Sequence, residues 1–315
     1  MEFQHEPVLL KEVLQWMNVR PDGIYVDGTL GGGGHSRAIL EASGGTATLY
    51  GIDRDENAIA AATERLKGFP GFRAIRGNFH DGKHLLEEAG AGRPDGILLD
   101  LGVSSPQLDT PERGFSYHAD APLDMRMDQS RGMTAADFLN TADEWEISRV
   151  IREWGEEKWA ARIAKIICER REKAPFATTF DLVAAVDAAI PKAVRRKEDG
   201  HPARRTFQAI RIAVNDELAP LEKALRDFID CLAPGGRMEV ITFHSLEDRI
   251  VKRCFRDLEH PCICPPKAPI CTCGRKPVVK VLGGGAIAPT AEETERNPRA
   301  RSAKLRVAEK RTMEE

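Results

Sequence analysis

The feature that most constrains this chain is a short apolar run that stops on an acid and turns at once into glycine. Ile24-Tyr25-Val26 is followed by Asp27, then by Gly28-Thr29-Leu30-Gly31-Gly32-Gly33-Gly34-His35-Ser36, then by a helical stretch through Ala38, Ile39 and Leu40. A strand, a glycine turn and a helix in that order bring backbone close to a ligand. They also offer it the free N–H groups of a helix start. The rhythm continues without the glycines. Residues 46–52 read as a strand ending at Asp53, 56–66 as an alanine-rich helix and 72–75 as a short strand. Residues 96–99 form a fully apolar run ending at Asp100. Strands alternating with helices imply a parallel sheet, and continuous apolar strands imply that helices cover both its faces.

The acids narrow the ligand. A dinucleotide places its pyrophosphate at such a turn, where Asp27 would repel it. A cationic cofactor without phosphate tolerates the acid, so S-adenosylmethionine is favoured over NAD. Asp53 is placed to accept hydrogen bonds from ribose hydroxyls. Phe79, after the third strand, either lies against an adenine or packs in the core. Ligands of an open parallel sheet bind at the carboxyl ends of its strands, where the strand order reverses. Asp100, followed by Leu101-Gly102-Val103-Ser104-Ser105-Pro106-Gln107, is therefore either a site acid or the cap of a loop. His244, in Thr242-Phe243-His244-Ser245-Leu246-Glu247-Asp248-Arg249, either meets substrate as a proton acceptor or caps the next helix. If the acceptor is the exocyclic amine of a base, a hydrogen-bond acceptor and a proton sink suffice. Methylation of a ring carbon usually needs a cysteine nucleophile. Pro261-Cys262 lies far along the chain from the Asp100 loop, which disfavours that route.

Between residues 134 and 190 the strand signal disappears. Ile147, Val150, Ile151 and Trp154 recur at helical spacing, as do Trp159, Ile163, Ile166 and Ile167. Asp143 with Glu146 reads as a capping box, and Thr178 or Thr179 caps a further helix. One long helix is expected from about Thr206, carrying Phe207, Ile210, Val214, Leu218, Leu221, Leu225 and Phe228 on one face. Strand signals return at 237–243, 277–282 and 302–308. The expected organisation is an α/β domain formed by 1–112 and 206–315, interrupted by a helical domain at 113–205.

Charge is nearly balanced, 46 basic against 49 acidic residues, which excludes a globally basic coat. It is unevenly spread: 192–205 carries a local +4 and 296–311 a local +6. Such runs are either solvated surface or phosphate contacts. No apolar stretch approaches the length of a membrane span. The first residues lack the marks of a signal peptide, so a cytoplasmic location is expected. Cys262, Cys264, Cys271 and Cys273 form C-x-C-x6-C-x-C. Four thiolates could form a tetrahedral zinc site, but C-x-C is a less usual metal spacing than C-x2-C; the thiols are read first as reduced side chains of a proline-rich loop, with a structural metal and a redox role as the alternatives, and no metal is assigned.

Long segments carry a resemblance that spans nearly the whole chain. They are His5-Glu6-Pro7-Val8-Leu9-Leu10, residues 27–36, 96–109, Arg113-Gly114-Phe115-Ser116, residues 122–128, 207–215, 243–249 and 297–306. With them the chain resembles the bacterial 16S ribosomal RNA (cytosine-N4)-methyltransferases. The resemblance implies a Rossmann-like S-adenosylmethionine-dependent methyltransferase sheet with an inserted helical domain. It implies methylation of N4 of a cytidine in the decoding region of 16S rRNA, within the small ribosomal subunit and at no membrane, a homodimer being left open. It implies cofactor contacts at Gly33, Gly34, His35, Asp53, Phe79, Asp100 and Gln107. Asp100 and His244 are the expected catalytic pair. A nicotinamide dehydrogenase and a non-catalytic RNA-binding factor are the competing classes. DNA cytosine is the competing acceptor.

Overall fold

The computed structural model describes residues 7–196, 200–265 and 270–312. Seven strands form one sheet: β1 (Ile24–Asp27), β2 (Thr48–Asp53), β3 (Phe72–Arg76), β4 (Gly96–Asp100), β5 (Arg237–Thr242), β6 (Val279–Ile287) and β7 (Lys304–Lys310). Their order is β3-β2-β1-β4-β5-β7-β6. The first five are mutually parallel, and β7 runs antiparallel to both β5 and β6. The α/β class expected from the sequence is the one observed.

The apolar runs are continuous because consecutive residues serve opposite faces. Tyr25, Leu98, Ile241 and Val307 belong to one core, with Val13, Ile39 and Leu66 from helices Leu10–Met17, Gly34–Ala42 and Glu56–Leu66. Val26, Ile97, Leu99, Val240 and Ala308 belong to the other, with Leu225, Phe228, Val251 and Phe255 from helices Leu221–Cys231 and Ser245–Glu259. The chain winds outward from β1 to β3, then returns to place β4 on the other side of β1. The carboxyl ends of β1 and β4 therefore flank the reversal point.

The chain divides into two compact units, Met1–Gly102 with Pro220–Glu315, and Val103–Ala219. These junctions differ from the expected 112/113 and 205/206. The single long helix expected from Thr206 is two helices, Arg204–Asn215 and Leu221–Cys231. Asp216 takes a left-handed φ of 49° after the first helix, and Pro220 caps the start of the second. The two helices belong to different units, so the apolar periodicity that runs across the break belongs to two separate cores.

The second unit is helical. Phe138, Ile147, Ile151, Ile163, Ile167, Leu182, Val186, Phe207 and Ile210 fill its core. Asp143 caps its helix by accepting from the Glu146 N–H at 2.7 Å, and Thr178 forms a full capping box with Asp181. The sequence segments around Arg113 and 122–128 form its scaffold. Asn215 Oδ1 accepts from the Met127 N–H, and its amide donates to Met125 O, both at 2.8 Å. The buried Arg113 guanidinium donates to the carbonyls of Arg126 and Met127. No helix among the described residues is long and apolar enough to cross a membrane.

Candidate active site

At Gly28, Gly33 and Gly34 of the turn after β1, little but glycine fits. A Cβ on Gly28 would lie 2.4 Å from Leu99 Cδ2, and one on Gly34 would lie 2.6 Å from Pro7 Cγ. Gly33 caps the helix Gly34–Ala42 with φ 73°, a backbone that L side chains rarely adopt. Pro7 is the one residue of the His5-Glu6-Pro7 segment within the described residues.

Asp27 is buried beneath this turn. Its Oδ2 accepts from the Ser36 hydroxyl at 2.6 Å and its Oδ1 from the Thr29 N–H at 3.2 Å. Burial pushes its carboxyl above the ordinary range, and the Ser36 hydrogen bond opposes the shift. Asp53 holds the same turn from β2: Oδ2 accepts from the Gly31 N–H and Oδ1 from the Asp55 N–H, both at 2.8 Å. It stays half-buried, and burial raises its pKa as well. Each Asp53 oxygen keeps a lone pair for a further donor.

Asp100 ends β4 next to the turn, and its own N–H donates to Thr29 Oγ1 at 2.6 Å. Its Oδ2 lies 3.7 Å from His35 Nδ1. The His35 Nε2 lies 2.9 Å from the Val8 carbonyl, which can only accept, so Nε2 carries the proton. In a neutral ring, Nδ1 then turns a lone pair toward the Asp100 carboxylate. A proton on either group joins them. Asp100 Oδ1 is enclosed and has no hydrogen-bond partner among the described residues. Burial pushes Asp100 up to about 6; His35 opposes the shift, while the charges of Asp27 and Glu247 add to it. A buried acceptor without a donor, beside a glycine cradle, suits a cationic or N–H-bearing ligand.

His244 follows β5 and caps the helix Ser245–Glu259, its side chain accepting from the Glu247 N–H at 3.5 Å. Glu247 reciprocates, its Oε2 accepting from the Phe243 and His244 N–H groups. His244 Nε2 lies 3.1 Å from Glu247 Oε1, in a direction that makes no hydrogen bond. No hydrogen bond or ion pair joins His244 to Asp100 among the described residues. Of the two roles left open by the sequence, helix capping is the one these contacts describe.

Phe79 starts a short 3-10 turn beside Gly28 and packs, half-buried, on the core that holds Val26 and Ile52. Its ring meets the neighbouring His80 edge-on at 4.3 Å. Burial, with Arg54 nearby, drives His80 down to about 4. Gln107 lies in the other unit, on the short helix Ser105–Asp109, where its Oε1 accepts from the Ser104 N–H at 3.1 Å.

Gly33, Gly34, His35, Asp53, Phe79 and Asp100 thus all belong to the sheet-bearing unit, around the ends of β1, β2 and β4. Spacing did not single out Ser36, Thr29 or Glu247. An S-x-x-E pattern at Ser36 was not available as a cue, because Ser36 pairs with an acid nine residues before it. Both basic runs are partly committed to the fold. Arg306 pairs with Asp248 at 2.7 Å, and Lys310 donates to the carbonyls of Asp230 and Leu232. In the other run Arg195 pairs with Asp187 at 2.7 Å, while Lys197, Glu198 and Asp199 lie outside the described residues. Arg299 and Arg301 are exposed.

Residues 2–311 match the profile of the MraW methylase family. The chain is 54% identical over 312 residues to the ribosomal RNA small subunit methyltransferase H of Heliobacterium mobile, covering 98% of this chain and 100% of that protein. It is 53% identical over 310 residues to the protein of the same name from Trichlorobacter lovleyi, covering 98% and 99%. Against that of Clostridium botulinum strain Kyoto the identity is 50% over 310 residues, covering 98% and 100%.

Proposed function

The chain belongs to the MraW methylase family, and from that premise we propose that it methylates N4 of a cytidine in the decoding region of 16S rRNA, using S-adenosylmethionine. The observation that carries the reading is Asp100 Oδ1, enclosed without a donor among the described residues at the reversal point of the sheet. The relatives named as small-subunit rRNA methyltransferases support the substrate class.

The residues present fit the cofactor. Gly33 and Gly34, packed against Ala62, Leu66 and Pro7, give the turn the backbone shape that meets the cofactor, Asp53 offers lone pairs to ribose hydroxyls, and Phe79 offers a ring to adenine. His35, Asp100 and Gln107 complete the proposed contacts. When bound, S-adenosylmethionine supplies a methyl group on a sulfonium, ready for transfer to nitrogen. The acceptor amine is a weak nucleophile because its lone pair is delocalised into the ring. Asp100 accepts hydrogen bonds from the amine and so favours a more tetrahedral nitrogen. With its pKa near 6, Asp100 is a stronger base than an ordinary carboxylate, and it takes the proton that the amine loses. His35, fixed by the Val8 carbonyl, keeps its Nδ1 3.7 Å from Asp100 Oδ2, and a proton on either group joins them. His244 fixes the start of the helix after β5 and keeps Glu247 there.

The target base must leave its stack to be reached. Arg299 and Arg301 are the proposed phosphate contacts, and neutralising one should lower the salt slope of binding by roughly one. The substrate is the small subunit rather than free RNA, which places the action in the cytoplasm. The test is transfer of labelled methyl to unmodified small subunits, naked rRNA and DNA, followed by digestion to nucleosides. Label in N4-methylcytidine from the subunit is expected. Label in another nucleoside, or none while the cofactor still binds, would overturn the reading.

A further inference from the structure

Outside the site, the strongest cluster of reactive side chains is the segment between the helix Ser245–Glu259 and β6. Cys262, Cys264, Cys271 and Cys273 bring their sulfur atoms within 4.8 Å of one another. Four of the Sγ···Sγ separations are 3.5, 3.6, 3.8 and 3.9 Å. A disulfide needs about 2.05 Å, so these are free thiols. A tetrahedron of sulfurs each about 2.3 Å from a zinc ion has edges of about 3.8 Å. The sulfurs are therefore spaced as one tetrathiolate would space them.

The surroundings agree. Ile263 and Ile270 are 66% and 74% exposed, so among the described residues of the segment no apolar core draws the sulfurs together. A backbone N–H group faces them. The Thr272 N–H donates to Cys264 Sγ at 3.4 Å. N–H donors favour anionic sulfur over neutral thiols, which form only weak hydrogen bonds with one another. Gly274, at φ 63°, turns the chain directly after Cys273. The C-x-C spacing, which argued against a metal in the sequence, has a simple account. Residues i and i+2 face the same side where a segment is extended, and Cys271 and Cys273 stand with their sulfurs 3.5 Å apart.

We propose that Cys262, Cys264, Cys271 and Cys273 bind one structural zinc ion. Binding forms four zinc–sulfur bonds and releases the thiol protons to solvent. No oxidant or reductant is needed.

The test uses the full chain purified without chelators, with elemental analysis by mass spectrometry. About one zinc per chain is expected, against less than about a tenth in the Cys271→Ser/Cys273→Ser variant. Cofactor binding by that variant reports that it is folded. Reconstitution of the metal-free chain with cobalt(II) should give the visible bands of a tetrahedral tetrathiolate. Absence of zinc together with no cobalt spectrum would overturn the proposal. So would zinc retained by the double variant, or iron in place of zinc.

Discussion

Asp27 and Asp100 end neighbouring parallel strands, and their surroundings differ. At the tip of β1, both carboxylate oxygens are taken by the fold: the Ser36 hydroxyl holds one and the Thr29 N–H the other. At the tip of β4, among the described residues, one oxygen lies 3.7 Å from the His35 ring and the other meets no donor. Two acids of one type, one strand apart, are thus divided between shaping the turn and serving what binds beside it. Burial raises both pKa values, so the shift alone does not separate the roles. The hydrogen-bond partners do.

The largest expected effect follows from removing the open acid. Asp100→Ala should weaken cofactor binding by about a hundredfold, the loss of a charged hydrogen bond in a buried setting, while leaving thermal stability near wild type. Isothermal titration and a melting curve check both halves. Asp27→Ala should act the other way round. It leaves the buried Ser36 hydroxyl and the half-buried Thr29 N–H without an acceptor, costing about 2 kcal/mol in denaturant unfolding. Unfolding curves superimposable on wild type would erase the comparison.

A third acid sharpens it. Glu239, in the middle of β5, is fully buried, and neither of its oxygens has a hydrogen-bond partner among the described residues. Burial raises its pKa well above the ordinary range. A raised folded pKa means that the carboxyl contributes most at low pH and loses that contribution as pH rises above its unfolded value. Glu239→Gln should therefore raise stability at pH 8, by about 1 kcal/mol, with a smaller gain at pH 5. Equal changes at both pH values would sink the idea. The smallest effect belongs to His244→Asn. Asparagine also caps helices, so the helix Ser245–Glu259 should form with a stability change under about 0.5 kcal/mol. Methyl transfer should persist. Its collapse in a folded variant would restore His244 as a proton acceptor.

How much of this was legible follows the range of each interaction. The strands ending at Asp27, Asp53 and Asp100 could be read because apolar runs, an acid and glycines lie side by side in the chain. The partners could not. Ser36 reaches Asp27 across a turn, and Glu293, far along the chain, accepts from the Leu9 N–H. Periodicity hid the break between Asn215 and Leu221 because two helices, each amphipathic, happen to continue in phase. Net local charge overstated the basic surface at 296–311, since Arg306 and Lys304 of β7 pair with Asp248 on the helix Ser245–Glu259. The four cysteines were visible, but their convergence needed the backbone.

The most direct measurement is cofactor affinity by calorimetry between pH 5 and 8, on wild type and Asp100→Asn. With Asp100 near 6, wild-type affinity should be flat above that pH and fall about tenfold per unit below it, as the carboxyl gains its proton. Asp100→Asn should bind weakly and without that slope. An Asp100→Asn protein that binds as tightly as wild type, or keeps the same slope, would contradict the division of labour between the two acids.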